Sequence, residues 1–159
     1  MAQKLTKKSK VAVKPVKTVP VKKGALSMPA DYTSAVGRRK TAVARVRLWP
    51  GKQEIVVNGK PISSYFKGET QKKIYQLPFL VTGTLNQYSG SVKVEGSGLM
   101  SQADALVHGI ARALIKIDSD KFKHLLREKG LLTRDPRMKE TRKAGQGGRA
   151  RAKKQSPKR

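Results

Sequence analysis

The sequence predicts one α+β domain carried between two basic extensions. Three observations lead there. "KTAVARVRLW" (40–49) alternates with the period of a strand, and "SQADALVHGIARALIKI" (101–117) repeats its apolar residues with the period of a helix. Nearly all the bulky apolar residues fall between positions 31 and 136. At 159 residues the chain is one domain's worth of sequence with room for tails.

Taken in order, the first strand points Ala42, Ala44, Val46 and Leu48 one way and Thr41, Val43, Arg45, Arg47 and Trp49 the other. That pattern describes a half-buried strand with a cationic outer face. "PGKQ" turns the chain, and "EIVVNG" returns as a second strand that stops at Asn58-Gly59. Pro61 to Phe66 reads as a short helix with Pro61 in its first turn. Thr70 to Thr84 reads as helical in part, interrupted near Pro78. "YSGSVKVEG" supplies a third strand with Val92 and Val94 on its inner face.

The strongest helix follows, with Ser101 as its cap and Asp104 at the capping-box position. Ala103, Leu106, Val107, Ile110, Ala113, Leu114 and Ile117 make its core face. Asp104, His108, Arg112 and Lys116, spaced by four, make the opposite line. A further helix runs from about Asp120 to Lys129 and ends at Gly130. "LLTRDPRMKE" is expected as a final edge strand, where Pro136 is tolerated despite lacking an N–H.

Charge divides the chain the same way. The formal net charge is +26, from 36 Lys+Arg against 10 Asp+Glu. Residues 1–30 hold eight lysines and no acid, residues 31–136 hold 18 basic and 9 acidic side chains, and residues 137–159 hold 10 basic and one acidic. The expected organisation is a disordered lysine-rich arm (1–30), a globular domain (31–136) and an extended basic tail (137–159). A free protein this basic repels itself, so its charge suits a polyanion. No apolar run approaches the ~20 residues of a membrane span, and no apolar segment of a secretion signal follows the N-terminal lysines. The absence of cysteine excludes a disulfide scaffold and a Cys-ligated zinc site, and it fits a reducing cytoplasm.

Three stretches carry candidate chemistry. "EGSGLMSQADA" is a glycine-rich turn running into a helix, and its backbone N–H groups, with Gly96 and Gly98, offer a place for a phosphate. A plain strand-to-helix turn explains the same glycines. The stretch also resembles the phosphate loop of the galactokinase/homoserine kinase group, but the acids that such an enzyme needs as base and metal ligands are few and scattered. His108 is either a packing residue or, beside Arg112, an RNA contact. With only His124 for company it makes neither a metal site nor a catalytic triad. "GRRKTAVARVRL" lines up Arg38, Arg39, Lys40, Arg45 and Arg47. This is a solvated strand face or, as we favour, a row for backbone phosphates. A stand-alone nucleic-acid annealing protein is the other class these basic arms fit.

The stretches "GRRKTAVARV" (37–46), "VNGKPISSYF" (57–66), "VKVEGSGLMSQADALVHGIARAL" (92–114), "LREKGLLTRDPRMKE" (126–140) and the terminal "KR" resemble the small-subunit ribosomal protein S-nine family in its bacterial type. They cover most of the chain from about Tyr32 onward, in order. The sequence departs from the family in its 30-residue lysine arm, and in Ser156-Pro157 where an aromatic usually precedes Ser-Lys-Arg.

The resemblance implies a ribosomal protein S5 domain 2-like sandwich, with a four-stranded sheet packed with helices. It implies a cytoplasmic, non-enzymatic constituent of the ribosome with no cofactor, no metal and no catalytic residue. The implied partners are the three-prime major domain of small-subunit rRNA, neighbouring head proteins and P-site tRNA, with no membrane. For rRNA the candidates are Arg38, Arg39, Lys40, Arg45, Arg47, Gly96, Gly98, His108, Arg112, Arg134, Arg137, Arg142, Lys143, Arg149 and Arg151; for tRNA they are Lys158 and Arg159.

Overall fold

The computed structural model describes Pro29 and residues 31–139. The arm and the tail beyond 139, with Arg142, Lys143, Arg149, Arg151, Lys158 and Arg159, lie outside the described residues. The elements run β1 (Thr33–Arg39), β2 (Ala42–Pro50), β3 (Val56–Val57), β4 (Lys60–Pro61), α1 (Ile62–Tyr65), α2 (Glu69–Thr82), β5 (Tyr88–Glu95), α3 (Leu99–Ile117) and α4 (Ser119–Glu128). The α+β class expected from the sequence holds.

The sheet has five strands, not four, in the order β1-β2-β5-β3-β4. The sequence pattern misses two strands: the two-residue β4, and β1, whose Thr33–Arg39 contains a glycine, two arginines and little β-propensity. Pairing supplies what propensity lacks. β1 lies antiparallel to β2 from Thr33↔Leu48 to Arg39↔Ala42, joined by a two-residue turn in which Lys40 takes φ 51°. β2 pairs antiparallel with β5, which in turn pairs parallel with β3. β3 is shorter than "EIVVNG" suggests because it starts only at Val56, and it ends, as expected, where Asn58 enters the left-handed region at φ 49°. Its side chain continues the pairing instead, donating to the Val94 carbonyl and accepting the Val94 N–H, both at 2.9 Å.

The core fills one face of the sheet. Ala42, Ala44, Val46 and Leu48 are buried as expected, together with Val92 and Val94 of β5 and the α3 stripe from Ala103 to Leu114. Ile117, expected in that stripe, is exposed. α3 begins earlier than the sequence suggests: Gly98 is its N-cap, and no side chain caps it. Ser101 is buried inside the first turns, and Asp104 serves an ion pair with Arg39 instead of a capping box. The cap that does form is Asp118, which accepts the Lys121 N–H at the start of α4.

Two further expectations change. α2 is continuous through Pro78, with no break. The ring is fully buried, and that packing offsets the backbone hydrogen bond that the proline nitrogen cannot give to the Ile74 carbonyl. Residues 131–139 form no strand. Leu131 and Leu132 turn inward against the core, and the Asp135 carboxylate takes the Arg137 N–H at 2.9 Å, a local turn that competes with extended pairing.

One close approach sets the position of α3. A Cβ built on Gly37 of β1 would lie 1.9 Å from the Ala105 carbonyl oxygen and 2.3 Å from the Gly109 nitrogen. A Cβ on Gly109 would lie 2.6 Å from Cγ2 of Val46. Only glycine at both positions lets the helix backbone rest on the strand backbone.

Candidate nucleic-acid interface

Period two on β2 puts Arg45 and Arg47 on the face opposite the helices, where both are exposed. Register then adds what sequence spacing cannot. Arg45 stands directly opposite Lys93 of β5, Arg47 opposite Ser91, and Arg38 of β1 opposite Val43. Like charges directly across a strand pair are destabilising, so Arg45 and Lys93 suit an anion laid over both. Glu95 forms an ion pair with Lys93 at 2.8 Å, which holds its carboxyl below the usual range. Tyr32 lies beneath the Arg47 guanidinium, 5.4 Å from ring centroid to carbon. Asn58 and Gly59 rim the same shallow groove.

Lys93 and Tyr32 were missed by sequence reasoning. The alternation in "SVKVE" places Lys93 outward, but only the register shows that it faces Arg45. Lys40 sits exposed in the hairpin turn at the end of this face.

The line His108, Arg112 and Lys116 goes elsewhere. Ser34, Val36 and Arg38 point their backbone groups away from β2, along the outer edge of β1. Lys116 Nζ donates to the Ser34 carbonyl at 2.8 Å, the Arg112 guanidinium donates to the Val36 carbonyl, and Nδ1 of His108 accepts the Arg38 N–H at 3.3 Å. Four-residue spacing on the helix thus matches two-residue spacing on the strand, and three side chains cover the edge that would otherwise pair with another chain. Burial, then the charge of Arg112, pushes the His108 ring below its ordinary pKa. An imidazole that accepts at Nδ1 is neutral there.

Arg39 is held too. Its guanidinium lies 3.0 Å from Asp135 and 3.6 Å from Asp104, and it donates to the Arg137 carbonyl at 3.1 Å. Arg137 in turn clasps Asp135, whose carboxyl it holds far below the usual range. Arg134 is exposed beside this cluster. At the far end of β5, Gly96 (φ 79°) and Ser97 (φ 53°) turn the chain into α3. A Cβ on Gly96 would meet the Thr41 carbonyl oxygen at 2.4 Å. No side chain caps α3 and its first turn carries no acid, so its positive end meets no protein side-chain acceptor or carboxylate of its own first turn.

The one-sided sheet and its cationic second face define a small, basic α+β domain that presents a surface in place of a cleft. Among the described residues, no group of His, Asp and Glu is arranged to hold a metal ion, and no helix is long and apolar enough to cross a membrane. The family model for ribosomal protein S9/S16 matches residues 37–159. Small ribosomal subunit protein uS9 of Maridesulfovibrio salexigens is 49% identical over 132 residues, covering 83% of this chain and 100% of that protein. Its counterpart in Lawsonia intracellularis is 43% identical over 118 residues, 74% of this chain and 90% of that one. The Dehalococcoides mccartyi protein is 47% identical over 114 residues, 72% and 86% respectively. The chain belongs to the ribosomal protein S9/S16 family. Membership makes it a structural ribosomal protein and not an enzyme.

Proposed function

We propose that the chain is a constituent of the small ribosomal subunit that lays the second face of its sheet on rRNA of the subunit head and extends its C-terminal tail to P-site tRNA. The observation that carries this reading is the Arg45–Lys93 pairing, flanked by Arg47 and Arg38, on a face with one acid. Such a row neutralises phosphates and releases counterions, which orients a protein on RNA without reading bases. The uncapped start of α3, at Gly96 and Gly98, supplies backbone donors for a further phosphate. Arg112 spends one donor on Val36 and Arg39 is held by two acids, so these two place their neighbours while keeping spare N–H groups for RNA. His108, Arg134 and Arg137 border the same side of β1.

The fold is of the ribosomal protein S5 domain 2-like type in this reading. Its target is the three-prime major domain of the rRNA, and neighbouring head proteins share its surroundings. Arg142, Lys143, Arg149 and Arg151 follow rRNA phosphates, and Gly145, Gly147 and Gly148 allow close backbone approach. Lys158 and Arg159 end at the tRNA backbone, where a guanidinium clasps a phosphate bidentately.

Filter binding of tRNA to purified small subunits tests the tail. Deleting residues 158–159 is expected to lower P-site affinity several-fold and to leave subunit assembly intact. Unchanged affinity and unchanged salt dependence would remove tRNA from the proposal and leave the tail an rRNA anchor.

A further inference from the structure

We infer that Arg39, Asp104 and Asp135 form a clasp that fixes where the C-terminal chain leaves the domain, making Asp135 a positioning residue for the tail. The inference rests on the proposed role of the tail, and it gives Asp104 and Asp135, acids that have nothing to offer a phosphate, a part in that role.

The segment from Leu131 to residue 139 has no helix or strand to hold it. It is held at three points in succession. Leu131 and Leu132 pack against the core. Asp135 then reaches the Arg39 guanidinium at 3.0 Å, and Arg39 donates to the Arg137 carbonyl at 3.1 Å. Arg39 is the hub, because its side chain is only 15% exposed and Asp104 of α3 fixes it from the other side. Both ends of the clasp are therefore set by rigid elements: β1 through Arg39, and α3 through Asp104.

The chemistry is selective. In a chain with 36 cations and 10 acids, Asp104 and Asp135 both pair with Arg39, and Asp135 pairs with Arg137 as well. A surface designed only to attract RNA would gain from leaving Arg39 unneutralised. A partly desolvated guanidinium between two carboxylates instead fixes direction, since its planar fork accepts partners only in its plane. Arg137 closes on Asp135 with contacts of 2.7 and 3.0 Å, so the turn at Pro136 is locked from within as well. A tail that must enter a narrow path between packed RNA helices gains from starting at a fixed point. A tethered end with a defined origin has a higher effective concentration at its target than one that sweeps freely.

The test uses the full chain, which has no native cysteine to interfere with labelling. Spin labels at Lys123→Cys on α4 and Met138→Cys on the exposed end of the segment report their distance distribution. The parent is expected to give one narrow peak, and Asp135→Ala a broad one, with Asp135→Glu restoring most of the narrow component. Amide exchange in α3 should be unaltered, which separates release of the segment from unfolding. A narrow peak in Asp135→Ala would overturn the clasp.

In assembled small subunits, Asp135→Ala should lower P-site tRNA affinity about two- to fivefold when the tail is intact and not at all when residues 140–159 are removed. An equal loss with and without the tail, or no loss where deletion of 158–159 gives one, would overturn the positioning role. If deleting 158–159 itself changes nothing, the tRNA reading fails, and the distance distribution alone then decides whether the clasp exists.

Discussion

Gly109 sits mid-way along α3, where helix propensity alone says that Gly109→Ala should stabilise the protein by about 1 kcal/mol. The structure says the reverse. The new Cβ would lie 2.6 Å from Cγ2 of Val46 and 3.2 Å from the Gly37 nitrogen, about 1 Å short of ordinary van der Waals contact with the methyl. Val46 is 1% exposed and has nowhere to retreat. Helix and strand must therefore separate, which strains the contacts of Arg112 and Lys116 with the edge of β1. Overpacking of this kind costs about 1–3 kcal/mol. Taking the upper end and subtracting the propensity gain leaves a net loss of about 2 kcal/mol, or a fall in Tm on the order of 8 °C for a domain this size.

Thermal and urea unfolding of the full chain followed by circular dichroism would measure it. Adding Val46→Ala, which removes the opposing methyl, should make the double variant more stable than the sum of the singles by about 1–2 kcal/mol. A higher Tm for Gly109→Ala, or additivity of the two changes within about 0.5 kcal/mol, would refute the packing reasoning.

Three further outcomes are expected. Gly37→Ala should prevent folding outright, because its Cβ meets backbone on both sides and no side chain can give way; a cooperative unfolding transition near that of the parent would contradict this. Arg45→Gln and Lys93→Gln should each weaken rRNA binding modestly and lower the slope of log affinity against log salt by about 0.7–0.9, whereas an unchanged slope with altered sequence preference would mean base readout. The third concerns His108, whose folded pKa is depressed while the unfolded ring titrates near 6.5. Below about pH 6.5 the unfolded chain binds the extra proton first, so stability should fall as pH drops through that value and level off below the folded pKa. Urea midpoints between pH 5 and 8 for parent and His108→Gln would check the sign, and an identical pH dependence in both would contradict it.

Much of the core was legible because it rests on periodicity. The alternation of Ala42 to Leu48 and the stripe from Ala103 to Leu114 both lie where spacing puts them. β1 was illegible for a physical reason, since Thr33–Arg39 is a strand only because β2 offers its register and two glycines admit α3. The start of α3 was misread because Ser101 and Asp104 look like a cap, while the burial of one and the pairing of the other with Arg39 are tertiary facts.

The candidate site divides the same way. Arg45 and Arg47 follow from period two, but Lys93 joins them only through pairing. The fourfold spacing of Asp104, His108, Arg112 and Lys116 was visible in the sequence. That it serves the edge of β1 and Arg39 could not be seen without the strand beside it.

A density map of small subunits purified with this chain in place would test the interface itself. The expected result is rRNA phosphate oxygens within hydrogen-bonding distance of Arg45, Arg47 and Lys93, with Arg159 beside the backbone of P-site tRNA. Bulk solvent or another protein over that face of the sheet, with its cations far from any phosphate, would contradict it.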